Sequence, residues 1–134
     1  MIVVDVNVIA YFWIPGEMTA LAESALERYP KWVAPFLWRS EFRNILAGYI
    51  RRGTLATSQA EKCLAGAEAQ MQGCEYLVPS DRIMRLVGRS TCSAYDCEYA
   101  ALAEDLNVKL LTTDKQLLKE FPRLAVSLKE MGTG

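Results

Sequence analysis

Short apolar runs recur along this chain, each followed by a stretch of helical periodicity, and this alternation limits its fold more than any other feature. "IVVD" at the N-terminus, "WVAP" at 32–35, "EYLVP" at 75–79, "VKLLTT" at 108–113 and "LAVSL" at 124–128 read as strands. The first is apolar up to its acid and rich in β-branched residues, as expected of a strand covered on both faces. Between the strands, a helix beginning near Val8 should stop at Pro15-Gly16, and Thr19 is a plausible cap for a helix running to Arg28. Leu37–Gly53 is strongly amphipathic and closed by its glycine. Thr57–Gly73 has a cap at Thr57 or Ser58 and closes on Gly73. Ser80-Asp81 opens a helix to Arg89, Ser93–Asn107 forms another, and Asp114–Glu120 a short last one. Strands alternating with helices predict a three-layer α/β domain, its central sheet mostly parallel, with four or five short strands and helices on both faces. No linker or repeat divides the chain, so 1–134 is read as one domain.

In open sheets of this kind ligands sit beyond the carboxyl ends of the strands. Three acids fall there: Asp5 after the first strand, Asp114 after "KLLTT", and Asp96 in the first turn of a helix that follows a short loop. Each also has a purely structural reading. Asp5 and Asp114 could cap the helices after them, and Ser93 with Asp96 fits a capping box.

Glu41 resists that treatment. Projected at about 100° per residue, Leu37, Trp38, Phe42, Ile45, Leu46 and Tyr49 share one face, with Arg39, Ser40, Arg43, Asn44 and Arg51 opposite. Glu41 lands inside the apolar edge, mid-helix, where an acid is costly without compensation. A buried Arg partner and a shared cation are the two explanations left open.

Composition narrows the chemistry. The chain has no His, so His-based triads and His general bases are excluded, leaving carboxylates, hydroxyls, thiols, Lys and hard metals bound through oxygen. Cys63, Cys74, Cys92 and Cys97 form no CxxC pair, which speaks against zinc and for free thiols in a reducing compartment. With neither a secretion signal nor an apolar run near the ~18–20 residues that span a bilayer, the expectation is a cytoplasmic protein without membrane contact. A net charge of -1 advertises no nucleic acid globally, so any RNA contact must rest on local patches.

These residues carry a resemblance. "VVDVNVI", "SEFRNIL" and "SAYDCEYAALAEDLNVKLLTTD" occur in the order of the acid-bearing motifs of PIN-domain ribonucleases, and the chain resembles in particular the VapC-type toxins of toxin–antitoxin pairs. The resemblance places the family's metal-binding acids on Asp5, Glu41, Asp96 and Asp114, and its supporting polar positions on Asn7 and Thr112. It implies Mg²⁺ or Mn²⁺, the cations suited to oxygen ligands with open positions, and hydrolysis of RNA phosphodiesters by an activated water. It also implies an antitoxin protein as partner and self-association, most simply a homodimer. "YFWIPG" and "LWRSEFRNIL" could supply such surfaces, although Trp13, Trp32 and Trp38 read first as core or partner contacts.

Phosphate contacts are expected from among Arg39, Arg43, Arg51, Arg52 and Lys115, while the stripe Arg82, Arg85, Arg89 reads as a solvated helix face. Two other readings stay open. One is a binding module, a PIN fold kept for protein contacts with its acids idle; the other is a haloacid-dehalogenase-like phosphohydrolase, which also places an acid after its first strand. The latter wants a second Asp where this chain has Asn7, and a Lys before its last acids, whereas Lys109 lies inside a predicted strand.

Overall fold

A computed structural model describes residues 1–132. Its sheet is wholly parallel, with strands β1 (Ile2–Val4), β2 (Trp32–Pro35), β3 (Glu75–Tyr76), β4 (Leu110–Thr112) and β5 (Ala125–Ser127) in the order β3-β2-β1-β4-β5. Every residue of β1, β2 and β4 is buried, which is why these strands read as unbroken apolar runs. β3 is shorter than "EYLVP" suggests. It lies at the sheet edge, where Leu77 is already 86% exposed and short strands limit unwanted pairing.

The helices are α1 (Val6–Trp13), α2 (Thr19–Arg28), α3 (Leu37–Arg51), α4 (Thr57–Met71), α5 (Ser80–Gly88), α6 (Ala94–Leu106) and α7 (Lys115–Glu120), with a 3-10 helix at Leu128–Gly132. The chain steps from β1 outward to β2 and β3, then returns across β1 to β4 and β5. Right-handed crossovers therefore put α1–α4 on one face and α5–α7 on the other. The packing agrees: α1 lies against α2, α3 and α4, whereas α5 packs on α6 and α6 lies over β1, β2 and β4. Covered by the sheet below and α5 above, α6 buries Cys97 and the whole run Tyr99–Ala103 rather than a single stripe. The small alanines let helix and sheet approach closely.

Gly53 and Gly73 both take positive φ (75° and 80°) just beyond α3 and α4, the left-handed geometry that ends a helix. Two caps fall elsewhere than expected. Met18, not Thr19, precedes α2; the Thr19 hydroxyl instead accepts from the Gly16 N–H (3.0 Å) and donates to the Tyr11 carbonyl (2.8 Å), tying down the turn from α1. At α4 the cap position is Ala56, whose N–H donates to Gln59 Oε1 at 2.8 Å, so the Gln three residues on does the work expected of Thr57 or Ser58.

Candidate active site

The strand order reverses around β1, which has β2 on one side and β4 on the other. The carboxyl ends of β1 and β4 thus flank the topological switch point, where open α/β sheets form their crevice. Asp5 leaves β1 there and Asp114 follows β4. α6 runs back along the sheet to feed β4, so its first turn, with Asp96, opens at the same end. α3 begins directly after β2, which brings Glu41 to that end too.

Asp5 is held most firmly. Its residue is only 6% exposed, Oδ1 accepts the Asn7 backbone N–H at 2.6 Å, and Oδ2 accepts the hydroxyl of fully buried Thr112. Pairing of Val4 with Leu111 sets Asp5 opposite Thr112 across the two strands. The Thr112 Oγ1 also accepts the Asp114 N–H at 2.9 Å, so one hydroxyl joins both acids. Asp114 Oδ1 accepts the Leu117 N–H, also at 2.9 Å. Ser93 Oγ accepts the Asp96 N–H at 3.1 Å and caps α6. Asp5 and Asp114 cap their helices as read, and Ser93 supplies its half of the expected capping box, the Asp96 carboxylate making no return bond to the Ser93 N–H; the acids nonetheless lie close together.

Glu41 is half-buried, and its partner is neither an Arg nor any other cation. Tyr99 of α6, itself only 2% exposed, donates its hydroxyl to Glu41 Oε1 at 2.6 Å. Among the described residues no Lys or Arg lies within ion-pair distance of Glu41, which sets aside the buried-Arg explanation. A helical projection shows which face a residue occupies but not what another element presents to it.

The four acids sense one another. Burial lifts the Asp5 carboxyl to about 6; hydrogen bonds from Thr112 and Asn7 partly oppose this, and repulsion from Asp96 and Asp114 adds to it. Burial raises Glu41 as well, with Tyr99 opposing and Asp96, Asp5 and Glu98 reinforcing the shift. Asp96 is raised by burial and by Asp114, against the Ser93 hydrogen bond. The structure therefore brings Asp5, Glu41, Asp96 and Asp114 to one place. Asn7 contributes its backbone N–H, its side chain lying on the exposed side, and Thr112 contributes its hydroxyl.

Carboxylate oxygens beside a hydroxyl are hard donors, the kind that suits Mg²⁺ or Mn²⁺. Among the described residues, however, no three acidic, cysteine or histidine side chains are placed to hold one ion between them.

Sequence reasoning missed Tyr99 and the neighbouring Glu98. Tyr99 stands three residues after Asp96 and so shares its helix face, a signal that could have found it. Sequence reasoning also overcounted the free cations. Arg39 is committed to Glu75 (Nε–Oε2 2.5 Å) and Glu68 (Nη1–Oε2 2.5 Å), which locks α3 to α4 and β3. Arg82 pairs with Asp105 and Arg89 with Glu104 of α6, but Arg82, Arg85 and Arg89 all stay exposed, as a solvated face does. Arg43, Arg51, Arg52 and Lys115 remain exposed, Arg52 lying 4.8 Å from the Tyr49 ring centre. Trp32 and Trp38 are core residues, and Trp13 is partly buried with its Nε1 donating to Gln70 at 2.7 Å.

Residues 2–124 match the model of the PIN domain. The chain is 31% identical to Ribonuclease VapC3 of Pyrobaculum aerophilum over 126 residues, covering 92% of this chain and 96% of that protein. A crystal structure of another Pyrobaculum aerophilum protein superposes with a TM-score of 0.76 at 20% identity, covering 98% of this chain and 96% of its own. A toxin-antitoxin complex from Klebsiella pneumoniae gives 0.69 at 16% identity, covering 96% and 98%.

Proposed function

The chain belongs to the PIN-domain family, and from that premise we propose that it is a metal-dependent endoribonuclease hydrolysing RNA phosphodiester bonds at the acid cluster, acting as the toxin of a toxin–antitoxin pair. The observation that carries this reading is the convergence of Asp5, Glu41, Asp96 and Asp114, from four separate segments, at the switch point of the sheet. The name of the VapC3 relative supports the ribonuclease assignment, and the toxin-antitoxin complex among the structural neighbours supports a protein partner.

In this proposal Asp5, Glu41, Asp96 and Asp114 would hold Mg²⁺ or Mn²⁺ once drawn together around it, and the cation would supply Lewis-acid stabilisation of phosphoryl charge and a more acidic water. The chain's own residues do the rest. Thr112 and the Asn7 N–H fix the Asp5 carboxylate, and Thr112 ties the turn that carries Asp114 to the same hydroxyl. Four carboxylates repel a phosphodiester, so RNA approaches only once their charge is offset. Exposed Arg43, Arg51, Arg52 and Lys115 are the side chains left to hold its phosphates. No described helix is long and apolar enough to cross a membrane; action on cellular RNA would place the protein in the cytoplasm, with an antitoxin protein as partner and self-association as a homodimer.

A second reading, a PIN fold kept for protein contacts without turnover, draws on the spacing of the acids, no three of which are placed to enclose an ion among the described residues. One experiment separates the two. The purified protein should cut a panel of RNAs with Mn²⁺ or Mg²⁺ and stop in chelator, and Asp96→Asn should abolish cutting while remaining folded by circular dichroism. Undiminished cutting in chelator refutes the metal, and no cutting under any condition leaves the interaction module.

A further inference from the structure

Resting on the ribonuclease reading, we infer that Tyr99 is a positioning residue: its buried hydroxyl holds the Glu41 carboxylate of α3 in register with the Asp96 end of α6. The contact is short, 2.6 Å from the Tyr99 hydroxyl to Glu41 Oε1, and it joins residues far apart in sequence. α3 packs mainly on α1, α4 and β2, whereas α6 packs on α5, β1, β2 and β4. The backbones of the two helices make few close approaches, and this hydrogen bond links the helix that carries Glu41 to the one that carries Asp96.

The two side chains differ in freedom. Tyr99 is a rigid ring with few rotatable bonds, 2% exposed and fixed in the core. Glu41 is half-buried with three rotatable bonds, and Asp5, Asp96 and Glu98 all repel it. Without an anchor, that repulsion would turn its carboxylate outward toward solvent. The donor occupies Oε1. A group held by a packed neighbour in this way is preorganised, and loss of such supporting partners commonly costs roughly 10–100-fold in metal affinity or activity.

Tyr99→Phe removes the hydroxyl and keeps the ring, so the packing survives. Three readouts are taken: kcat and KM for RNA cleavage, the Mn²⁺ concentration at half-maximal thermal stabilisation, and the melting temperature in chelator. Expected are a kcat at least about tenfold lower, a KM nearly unchanged, and a Mn²⁺ midpoint raised by a similar factor. In a Glu41→Gln background the same substitution should no longer move the midpoint. A variant with wild-type kcat and Mn²⁺ midpoint, altered only in melting temperature, overturns the inference and leaves Tyr99 a packing residue. If wild type cuts no RNA, the ribonuclease reading fails, and the Mn²⁺ midpoints alone decide Tyr99. If wild type is not stabilised by Mn²⁺ at all, the inference falls.

Discussion

Asp5→Asn should stabilise the protein near neutral pH in chelator. Lifting this carboxyl from 3.8 to about 6 means that the fold disfavours its ionised form by about 3 kcal/mol. The sign follows from proton binding. Between pH 3.8 and about 6 the unfolded chain has released the proton while the folded protein still holds it, so stability falls as pH rises through that window. Above it the whole penalty is present, and below it none is. Asn carries no charge, and its amide oxygen still accepts the Asn7 N–H. The Thr112 hydroxyl, which donates to Asp5 Oδ2, meets an amide N–H there instead and loses its acceptor, at a cost of about 1–3 kcal/mol for a buried donor. The net gain is about 0–2 kcal/mol at pH 7.5, or up to roughly 7 °C in melting temperature for a domain of this size.

The assay is a set of thermal melts in chelator between pH 4.5 and 8 for wild type and variant. Glu41 and Asp96 are raised too, so the variant keeps some decline with pH, but a clearly shallower one. A variant that melts below wild type at pH 7.5, or one with an undiminished slope, would show that Asp5 is content as a hydrogen-bonded cap and refute the electrostatic account. Millimolar Mn²⁺ should then reverse the order, raising wild type by mass action and the variant little.

Glu41→Gln should be neutral or mildly stabilising in chelator, because Tyr99 can donate to the amide oxygen and one repelling charge is gone; a loss of about 3–5 kcal/mol in urea unfolding would instead signal a broken ion pair. Arg39→Ala should destabilise by roughly 1–3 kcal/mol, since it leaves Glu75, whose side chain is 6% exposed, with only the Trp38 Nε1 donor at 2.7 Å. Its kcat on RNA should stay near wild type, and a collapse of activity with unchanged melting would return Arg39 to the substrate path.

What was legible in the sequence was what local pattern controls. Buried parallel strands need no alternation, so β1, β2 and β4 stood out as apolar runs, and the acids that follow β1 and β4 were found by position alone. The union of Asp5 with Thr112 depends on the register of β1 against β4, residues more than a hundred positions apart, and no local pattern encodes that. Glu41 was correctly marked as anomalous, but its partner lies on a helix that the projection of α3 cannot represent. Arg39 was read as a phosphate contact because sequence shows a helix face and not its neighbour; it meets Glu68 and Glu75 from other elements.

Capping a helix and joining an acid cluster were posed as rivals, and the structure makes them the same arrangement. In a parallel α/β sheet, a strand's carboxyl end turns directly into a helix N-terminus, so an acid there caps the helix and faces the crevice at once. Asp5 caps α1 and Asp114 caps α7, while Asp96 sits in the first turn of α6. Each of these helix ends carries partial positive charge and free N–H groups, and favours an adjacent carboxylate by about 0.3–1 kcal/mol, less for so short a helix as α7. These contributions offset part of the repulsion among the acids. Glu41, deeper in α3 and without a cap's N–H groups, depends on Tyr99 instead. Removing a cap interaction should therefore act on the whole cluster: Ser93→Ala frees the Asp96 N–H, costs about 1 kcal/mol of stability, and should raise the Mn²⁺ midpoint as well. A loss of stability with the midpoint unmoved would show that the cap and the site are separable after all.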